Sequence, residues 1–400
     1  MEKKAIGGSL AGLMHGVMLN REGYAVEILE QDIATQREGF DAGIRVGPDF
    51  VTFLKKYDRI GRPYQVHATG HQTGSLVLGL LVSILRANFD GTPSKAVPHV
   101  PNRDLKLKEA TYTHGACVKS VEDVGKTMKI HYEDVSQGTM ESTVADIVVV
   151  ADGPNSSIRK HLMPGISRPY AGYVSWRGTV RENLLEERHR GIFQGNAVFH
   201  LMDRSYILVY VIPTDDGSLE PGERLYNWVW YDHLPESSTE YVETMTDING
   251  KTHHGTVPRG LVRPDIWDQQ RAYGMSKLPP CIAALVEHTS SPFVTKIYDS
   301  ASTKATLFNN KLFIVGDALV SFRPHIALST NQAAYHCQLL KEVISGKTTP
   351  AAWERAVLRY GNEKRMYSIV VGVFALQEKW VLYRAASQPW NAKKVCFGMG

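Results

Sequence analysis

Ala5-Ile6-Gly7-Gly8-Ser9-Leu10-Ala11-Gly12 is the stretch on which the fold turns. A short apolar pair runs into a glycine turn. Behind it Leu10, Ala11, Leu13, Met14, Val17 and Met18 recur at helical spacing. Gly23 stops that helix, Tyr24 to Leu29 alternates as a strand does, and Glu30 closes the strand.

Strand, glycine turn, helix, strand and acidic residue, with Glu30 lying 18 positions after Gly12, is the order a dinucleotide site needs. The turn must be tight so that the backbone can approach a pyrophosphate. The helix N-terminus supplies amide donors and a positive dipole end. A carboxylate after the second strand accepts from a ribose hydroxyl. Ser9, a small residue, stands where the fingerprint has its middle glycine. An ordinary glycine turn between a strand and a helix is the alternative.

Two later turns have the same character. Asp146 to Ala151 reads as a buried strand and runs into Asp152-Gly153-Pro154-Asn155-Ser156-Ser157-Ile158-Arg159. Lys311 to Val315 is another, running into Gly316-Asp317-Ala318, then Arg323-Pro324-His325 and a helix beginning near Ser329. Each alone reads as a strand ending in a polar turn. The three together, in this order, carry much more.

Composition narrows the field. The net charge of +4 is a small surplus for 400 residues, and gives no case for nucleic-acid binding. The most apolar stretches, Leu76 to Leu85 and Ser368 to Leu376, fall well short of the roughly 20 residues of a spanning helix, so no membrane association is expected. Met1-Glu2-Lys3-Lys4 is followed by no apolar signal core, and Cys396 is misplaced for a prenylation signal, so a cytoplasmic protein is expected. Cys117, Cys281, Cys337 and Cys396 are unpatterned and suggest a reducing compartment. His67 with His71, and His253 with His254, lack a third ligand at useful spacing, so no metal is expected.

On its three turns the sequence resembles the single-component FAD aromatic hydroxylases built like p-hydroxybenzoate hydroxylase. Within them it is most similar to the 2,6-dihydroxypyridine 3-monooxygenase-like subgroup, through Gly7 to Leu13, Tyr170 to Gly178, Asn227 to Tyr231, Val257 to Pro264 and Gly316 to Ala334. The resemblance spans roughly residues 3 to 370. The expected fold is α/β. A discontinuous, Rossmann-like FAD-binding domain takes residues 1–66, 81–165 and 300–384. An inserted mixed β-sheet substrate domain takes 67–80 and 166–299, and 385–400 reads as a loose tail.

The implied activity consumes NADPH or NADH and O2. It adds one oxygen atom to a small electron-rich aromatic or heteroaromatic substrate through a flavin C4a-hydroperoxide. The cofactor carries that chemistry, while the protein binds, orients and excludes water. Rival readings are epoxidation, oxidative rearrangement or Baeyer–Villiger insertion in a biosynthetic pathway, and a non-catalytic, cofactor-poor relative that binds a small molecule. A homodimer is possible.

Carried over residue by residue, the resemblance implies that Gly8, Ser9, Ala11 and Gly12 form the pyrophosphate turn. Glu30, with Gln31 beside it, would meet the ribose. Ala42 and Gly43 would pass the flavin, and the backbone of Val118 would meet the adenine. Asp152 and Gly153 form the central turn, linked to FAD and the nicotinamide cofactor. Asp317 would accept from the ribityl chain. Pro324, Ala327, Ser329, Thr330 and Asn331 would bring a helix N-terminus to the flavin ring. His325 is the catalytic candidate, able to orient or deprotonate a phenolic substrate. A structural histidine after Pro324 is the preferred alternative. Strand-like segments at Ala197 to Leu201, Tyr206 to Ile212 and Tyr226 to Trp230 form a sheet that can roof a flat substrate. They make Tyr210, Trp228 and Trp230 substrate candidates, although most of these aromatics should be core.

The sequence departs from the family's pattern in places. Lys3-Lys4-Ala5-Ile6 offers two apolar residues where four or five are usual, which suggests a trimmed or edge-weakened first strand. Asp41 precedes the flavin loop, and no tryptophan precedes Leu81 to Arg86. Leu319-Val320 stands for Ala-His, and Asn309-Asn310 for Gly-Arg.

Overall fold

The computed structural model describes residues 2–34, 43–63, 66–67, 74–102, 104–194, 196–214 and 216–376. Asp41, Ala42 and the expected tail lie outside the described residues.

The first layer is a six-stranded sheet. Its order is Thr306–Leu307, Leu312–Ile314, Ile147–Val150, Glu2–Ile6, Ala25–Leu29, Ala110–Thr113. All pairings are parallel except that of Thr306–Leu307. The expectation of a weak edge strand at the start is corrected. Glu2–Ile6 is central, paired with Ala25–Leu29 on one side and Ile147–Val150 on the other. Its polar residues are accommodated rather than exposed. Lys4 is buried and its ammonium donates to Glu27 and to Glu2, the latter at 2.9 Å. The Lys3 ammonium lies 4.9 Å from the centre of the Tyr24 ring.

Helix Leu10–Arg21 crosses from the first strand to the second and packs between helices Leu78–Phe89 and Ser329–Ile344. Its apolar residues Leu13, Met14, Val17 and Met18 join the strands' Ala5, Ile6, Ile28 and Val149 in one core. The C-terminal helix Pro350–Leu376 anchors Trp353 and Val357 in that core.

The second layer is also six-stranded, in the order Val198–Met202, Ser205–Ile212, Leu225–His233, Tyr170–Arg181, Phe293–Tyr298, Thr256–Val257. Every pairing in it is antiparallel, where a mixed sheet was expected; Val198–Met202, Ser205–Ile212 and Leu225–His233 follow one another through reversing connections, and Tyr170–Arg181 is inserted between the last of these and Phe293–Tyr298. One face carries Trp176, Ile207, Val209, Tyr226, Trp228 and Trp230 against Trp267, Ile282 and Leu285 of the helices Pro264–Lys277 and Pro280–Glu287. The other face carries Tyr173, Tyr206, Val229 and Tyr231, and meets Leu376 at the end of the C-terminal helix. Helix Leu78–Phe89 joins the layers. Leu81, Leu85 and Phe89 pack in the first core, whereas Leu80 and Ile84 pack with Ile212 and Leu225 of the second. No helix among the described residues is long and apolar enough to cross a membrane.

Candidate active site

Three strand ends of the parallel sheet converge on one spot. The first turn is built by close approach. A Cβ on Gly12 would stand 1.8 Å from the Gly7 carbonyl oxygen, and one on Gly8 would stand 1.9 Å from the Tyr112 hydroxyl. Gly7 itself has φ +98°, where side-chain-bearing residues are strained. The Gly8 N–H donates to one carboxylate oxygen of Glu30. The Asp32 N–H donates to the other at 3.0 Å, and the Tyr112 hydroxyl donates to the Gly8 carbonyl at 2.9 Å. Ser9 occupies the N-cap of helix Leu10–Arg21 without a side-chain cap bond, so the first-turn amides keep their capacity for an anion.

Beside this turn the Arg86 guanidinium lies 3.7 Å from the centre of the Tyr112 ring and ion-pairs with Asp90 at 2.8 Å. Arg86 and Tyr112, with Glu30, Asp32, Ser94 and His114, line a small recess. Gln31 contributes an exposed side chain whose Oε1 lies 3.9 Å from Cys117 Sγ. Val118 is buried, and its carbonyl accepts from Ser157 Oγ at 3.2 Å, which ties it to the second turn.

In that second turn, Asp152 Oδ1 is buried with no hydrogen-bond partner among the described residues. Its Oδ2 accepts from Ser157 Oγ at 3.3 Å and from the Ile158 N–H at 3.4 Å. Burial raises the pKa of this carboxyl, and those hydrogen bonds oppose the rise. Gly153 follows at φ +78°.

The third turn abuts the first. A Cβ on Gly316 would stand 3.0 Å from Ala11 Cβ, and the Gly316 N–H donates to His336 Nδ1 at 3.1 Å. Asp317 Oδ1 also lacks a partner among the described residues. Burial pushes the Asp317 carboxyl up to about 6, against the opposing pull of Ser329, Arg168 and Arg159. Arg159 stitches the second turn to the third, since its guanidinium donates to the Pro154 carbonyl at 2.6 Å and the Ala318 carbonyl at 2.7 Å.

Beyond Asp317 the chain forms a short 3₁₀ turn, Pro324–Ile326, closed by Ala327 at φ +49° before helix Ser329–Ile344 begins. Thr330 is buried at its start. The Asn331 side chain is committed to helix Pro48–Tyr57, since its Oδ1 accepts from the Asp49 N–H at 2.9 Å and its Nδ2 donates to Asp49 Oδ2 at 2.6 Å. Only its backbone remains to face a ligand.

His325 is buried in a tyrosine cage. Its Nε2 lies 2.6 Å from the Tyr173 hydroxyl, its Nδ1 lies 2.6 Å from the Tyr206 hydroxyl, and the Tyr231 ring centre is 4.6 Å from its own. Burial, with Arg323 nearby, lowers its pKa to about 3, so the ring is neutral. One nitrogen therefore donates and the other accepts.

The sheet's tyrosine face also holds strand Gly43–Arg45. Tyr210 Oη donates to the Gly43 carbonyl at 2.9 Å, and the Gly43 N–H donates to Asn227 Oδ1 at 3.3 Å. Trp228 and Trp230 must be corrected as substrate candidates. Both indoles point to the opposite face, where they donate to Thr289 Oγ1 at 2.9 Å and Ser205 Oγ at 2.7 Å. Residues overlooked in the sequence include Tyr112, Arg86, Tyr173, Tyr206, Tyr231 and Asn227. Arg159 was within reach, as the last residue of the Asp152 to Arg159 stretch.

A dinucleotide fits these residues. The glycine cradle excludes any Cβ, the helix amides await an anion, and two buried carboxylate oxygens, of Asp152 and Asp317, await donors. Comparisons with known proteins agree. The FAD binding domain-like family model matches residues 170–299. The chain is 28% identical over 370 residues to 2,6-dihydroxypyridine 3-monooxygenase of Paenarthrobacter nicotinovorans, covering 89% of this chain and 87% of that protein. It is 27% identical over 356 residues to 6-hydroxynicotinate 3-monooxygenase of Pseudomonas fluorescens, covering 84% and 82%. The solved structure of 2,6-dihydroxypyridine-3-hydroxylase from Arthrobacter nicotinovorans superposes with a TM-score of 0.75 at 26% identity, covering 94% of this chain and 92% of that one. Turns, cradle and relatives point the same way, toward the FAD-dependent aromatic hydroxylases.

Proposed function

We propose that this protein is an FAD-dependent monooxygenase that consumes NADPH or NADH and O2 and adds one oxygen atom to a small electron-rich aromatic or heteroaromatic compound. The observation that carries this reading is the convergence of the three turns, with Gly316 against Ala11 and Arg159 joining Pro154 to Ala318. Bound FAD, once reduced by the nicotinamide cofactor, supplies the activation of O2.

This chain's residues do the rest. The backbone amides of Ser9, Ala11 and Gly12 would hold the pyrophosphate, on a turn that Glu30 fixes through the Gly8 N–H. Glu30 accepts from the ribose, and Asp317 from the ribityl hydroxyls. The helix beginning at Ser329 would offer its positive dipole end to negative charge on a bound flavin ring. The tyrosine face of the second sheet covers the substrate and excludes water. His325, spent on Tyr173 and Tyr206, acts as a positioning residue that joins the third turn to that face. We further propose the division into a discontinuous flavin domain and a substrate domain near residues 166–299. Each has its own apolar core.

A cofactor-poor reading loses its motive, because the first strand is central and its lysines are partnered. The test is to load the protein with FAD and follow NADPH and NADH oxidation over phenols, hydroxypyridines and hydroxyindoles under ¹⁸O₂. A substrate that speeds flavin reduction and gains one labelled oxygen supports the reading. Failure to retain FAD at all would overturn it.

A further inference from the structure

Two fully buried histidines stand outside the mechanism, His15 on helix Leu10–Arg21 and His336 on helix Ser329–Ile344. In each, Nε2 lacks a hydrogen-bond partner among the described residues. Burial lowers their pKa values to about 4 and about 3, so both rings are neutral near pH 7. A neutral imidazole has one N–H and one lone pair, and the contact at Nδ1 decides which is which. His15 Nδ1 lies 2.7 Å from the Ala11 carbonyl, which can only accept, so Nδ1 carries the proton and Nε2 is left as an acceptor. His336 Nδ1 accepts from the Gly316 N–H at 3.1 Å, so the proton sits on Nε2, which is left as a donor.

The donor and the acceptor left over belong to helices that pack on each other. Cys337, next to His336, donates from Sγ to the carbonyl of Met14, next to His15, at 3.4 Å. The two rings are near enough for charge on His15 to depress the pKa of His336. A buried donor and a buried acceptor are each costly when unmet, and one hydrogen bond between them, direct or carried by a single water, removes both costs. Every donor in the resulting chain points the same way. It runs from the Gly316 N–H through His336 and His15 to the Ala11 carbonyl, so each bond polarises the next. The chain thus begins and ends on the two residues at which the third turn abuts the first.

We propose that His15 and His336 are positioning residues for the cofactor, joined Nε2 to Nε2 in a chain that fixes the Gly316-Asp317 turn against the glycine turn. This rests on the function proposed above for the identity of the cofactor. The Ala11 amide serves the pyrophosphate and the Asp317 carboxylate serves the ribityl hydroxyls, so the separation of Ala11 from Gly316 decides whether one FAD molecule meets both. The histidines act through those two residues. Without His15 the His336 Nε2–H loses its acceptor. Turning the ring, or moving its proton to Nδ1, relieves that and releases the Gly316 N–H.

The test has a spectroscopic arm and a binding arm. NMR of FAD-free protein labelled with ¹⁵N in histidine reads the tautomers, with signals assigned by their loss in His15→Gln and His336→Asn. We expect His15 protonated on Nδ1 and His336 protonated on Nε2, with the His336 N–H protected from exchange and that protection lost in His15→Leu. Equilibrium dialysis at pH 7.5 then gives FAD affinity. His15→Leu should bind FAD about threefold to tenfold more weakly, as the loss of one neutral hydrogen bond predicts. His15→Gln returns an acceptor near the Nε2 position and should recover part of that loss, whereas a space-filling role would not tell Gln from Leu. His336→Asn keeps an acceptor for the Gly316 N–H and deletes the donor. Combined with His15→Leu, it should bind FAD no more weakly than His15→Leu alone, because neither half of the pair is then left unmet. The opposite tautomer on either histidine, or losses that add in the double variant, would overturn the inference. The tautomers of the unmodified protein decide it even where a variant does not fold. They are read without cofactor, so the expected tautomers in a protein that holds no FAD would overturn the proposed function and leave the histidine pair standing.

Discussion

The Tyr206 hydroxyl lies 2.6 Å from His325 Nδ1, so a strand of the antiparallel sheet is hydrogen-bonded to the loop that follows the Gly316-Asp317 turn. Tyr173 takes the other nitrogen, and a Cβ on Gly372 of the C-terminal helix would stand 2.5 Å from His325 Nε2. Next to it, Asp299 accepts from Arg323 at 2.8 Å and from Arg365 at 2.6 Å, locking that helix to the same loop. The histidine is a keystone between two layers.

His325→Gln should therefore cost stability, about 1–3 kcal/mol for the hydrogen bonds left unmade. Turnover per bound flavin should stay within about tenfold, because the ring is neutral and fully engaged. Its folded pKa, near 3, lies below the usual 6.5. The stability that the neutral ring contributes is thus present above pH 6.5 and is lost as pH falls toward 3. Denaturant unfolding over that window should show a shallower acid loss in the variant. His15 and His336, also depressed by burial, would account for what remains. Loss of hydroxylation with normal flavin reduction would instead make the imidazole a participant in the chemistry.

Asp317 gives the opposite sign. Its folded pKa is raised to about 6, so the FAD-free protein loses stability as pH rises from 3.8 to 6 and an unsatisfied carboxylate forms. Asp317→Asn should raise the melting temperature of FAD-free protein at pH 7, by an amount equivalent to about 1–3 kcal/mol. The same substitution should weaken FAD binding about tenfold or more, because hydroxyl donors favour the carboxylate. In the unmodified protein FAD affinity should fall between pH 6 and pH 4, and the variant should lose that dependence. Equilibrium dialysis across this range checks both.

Glu30→Ala should weaken FAD binding about tenfold to a hundredfold. Part of that loss would come from the Gly8 amide, which Glu30 holds in place. Glu30→Gln keeps an acceptor and should retain more affinity than Glu30→Ala. Equal affinity in all three proteins would remove Glu30 from the site.

The buried Lys4 is a test of the first strand. Glu27→Ala strips its partner and should destabilise the protein by about 1–3 kcal/mol, whereas Lys4→Leu, which removes the charge itself, should cost less than about 1 kcal/mol. Urea unfolding of the two variants decides it.

The turns were legible in the sequence because each is a local pattern, a strand running into glycine and aspartate. What they converge on was not. Tyr112 reaches Gly8 only because Ala110–Thr113 pairs with Ala25–Leu29, a register that no spacing between residues 8 and 112 encodes. The tryptophans were assigned to the wrong face for a related reason. Leu225 to Tyr231 is buried on both sides, so the two-residue alternation that normally tells inside from outside is erased. The first strand looked weak because hydropathy counts a lysine as polar. It cannot see that Glu27 and Tyr24, brought alongside by the parallel pairing, receive Lys4 and Lys3.

The central claim is oxygen transfer to an aromatic ring by a flavin held on these three turns. Its most direct measurement is a single-turnover experiment with FAD-loaded protein reduced by NADH or NADPH and mixed with ¹⁸O₂ and a hydroxypyridine or phenol, with the product analysed by mass spectrometry. The account predicts a product heavier by one ¹⁸O atom, and no such product from Asp317→Ala protein that fails to hold flavin. Protein that binds FAD and is reoxidised by O2 yet leaves every such ring unlabelled would contradict it.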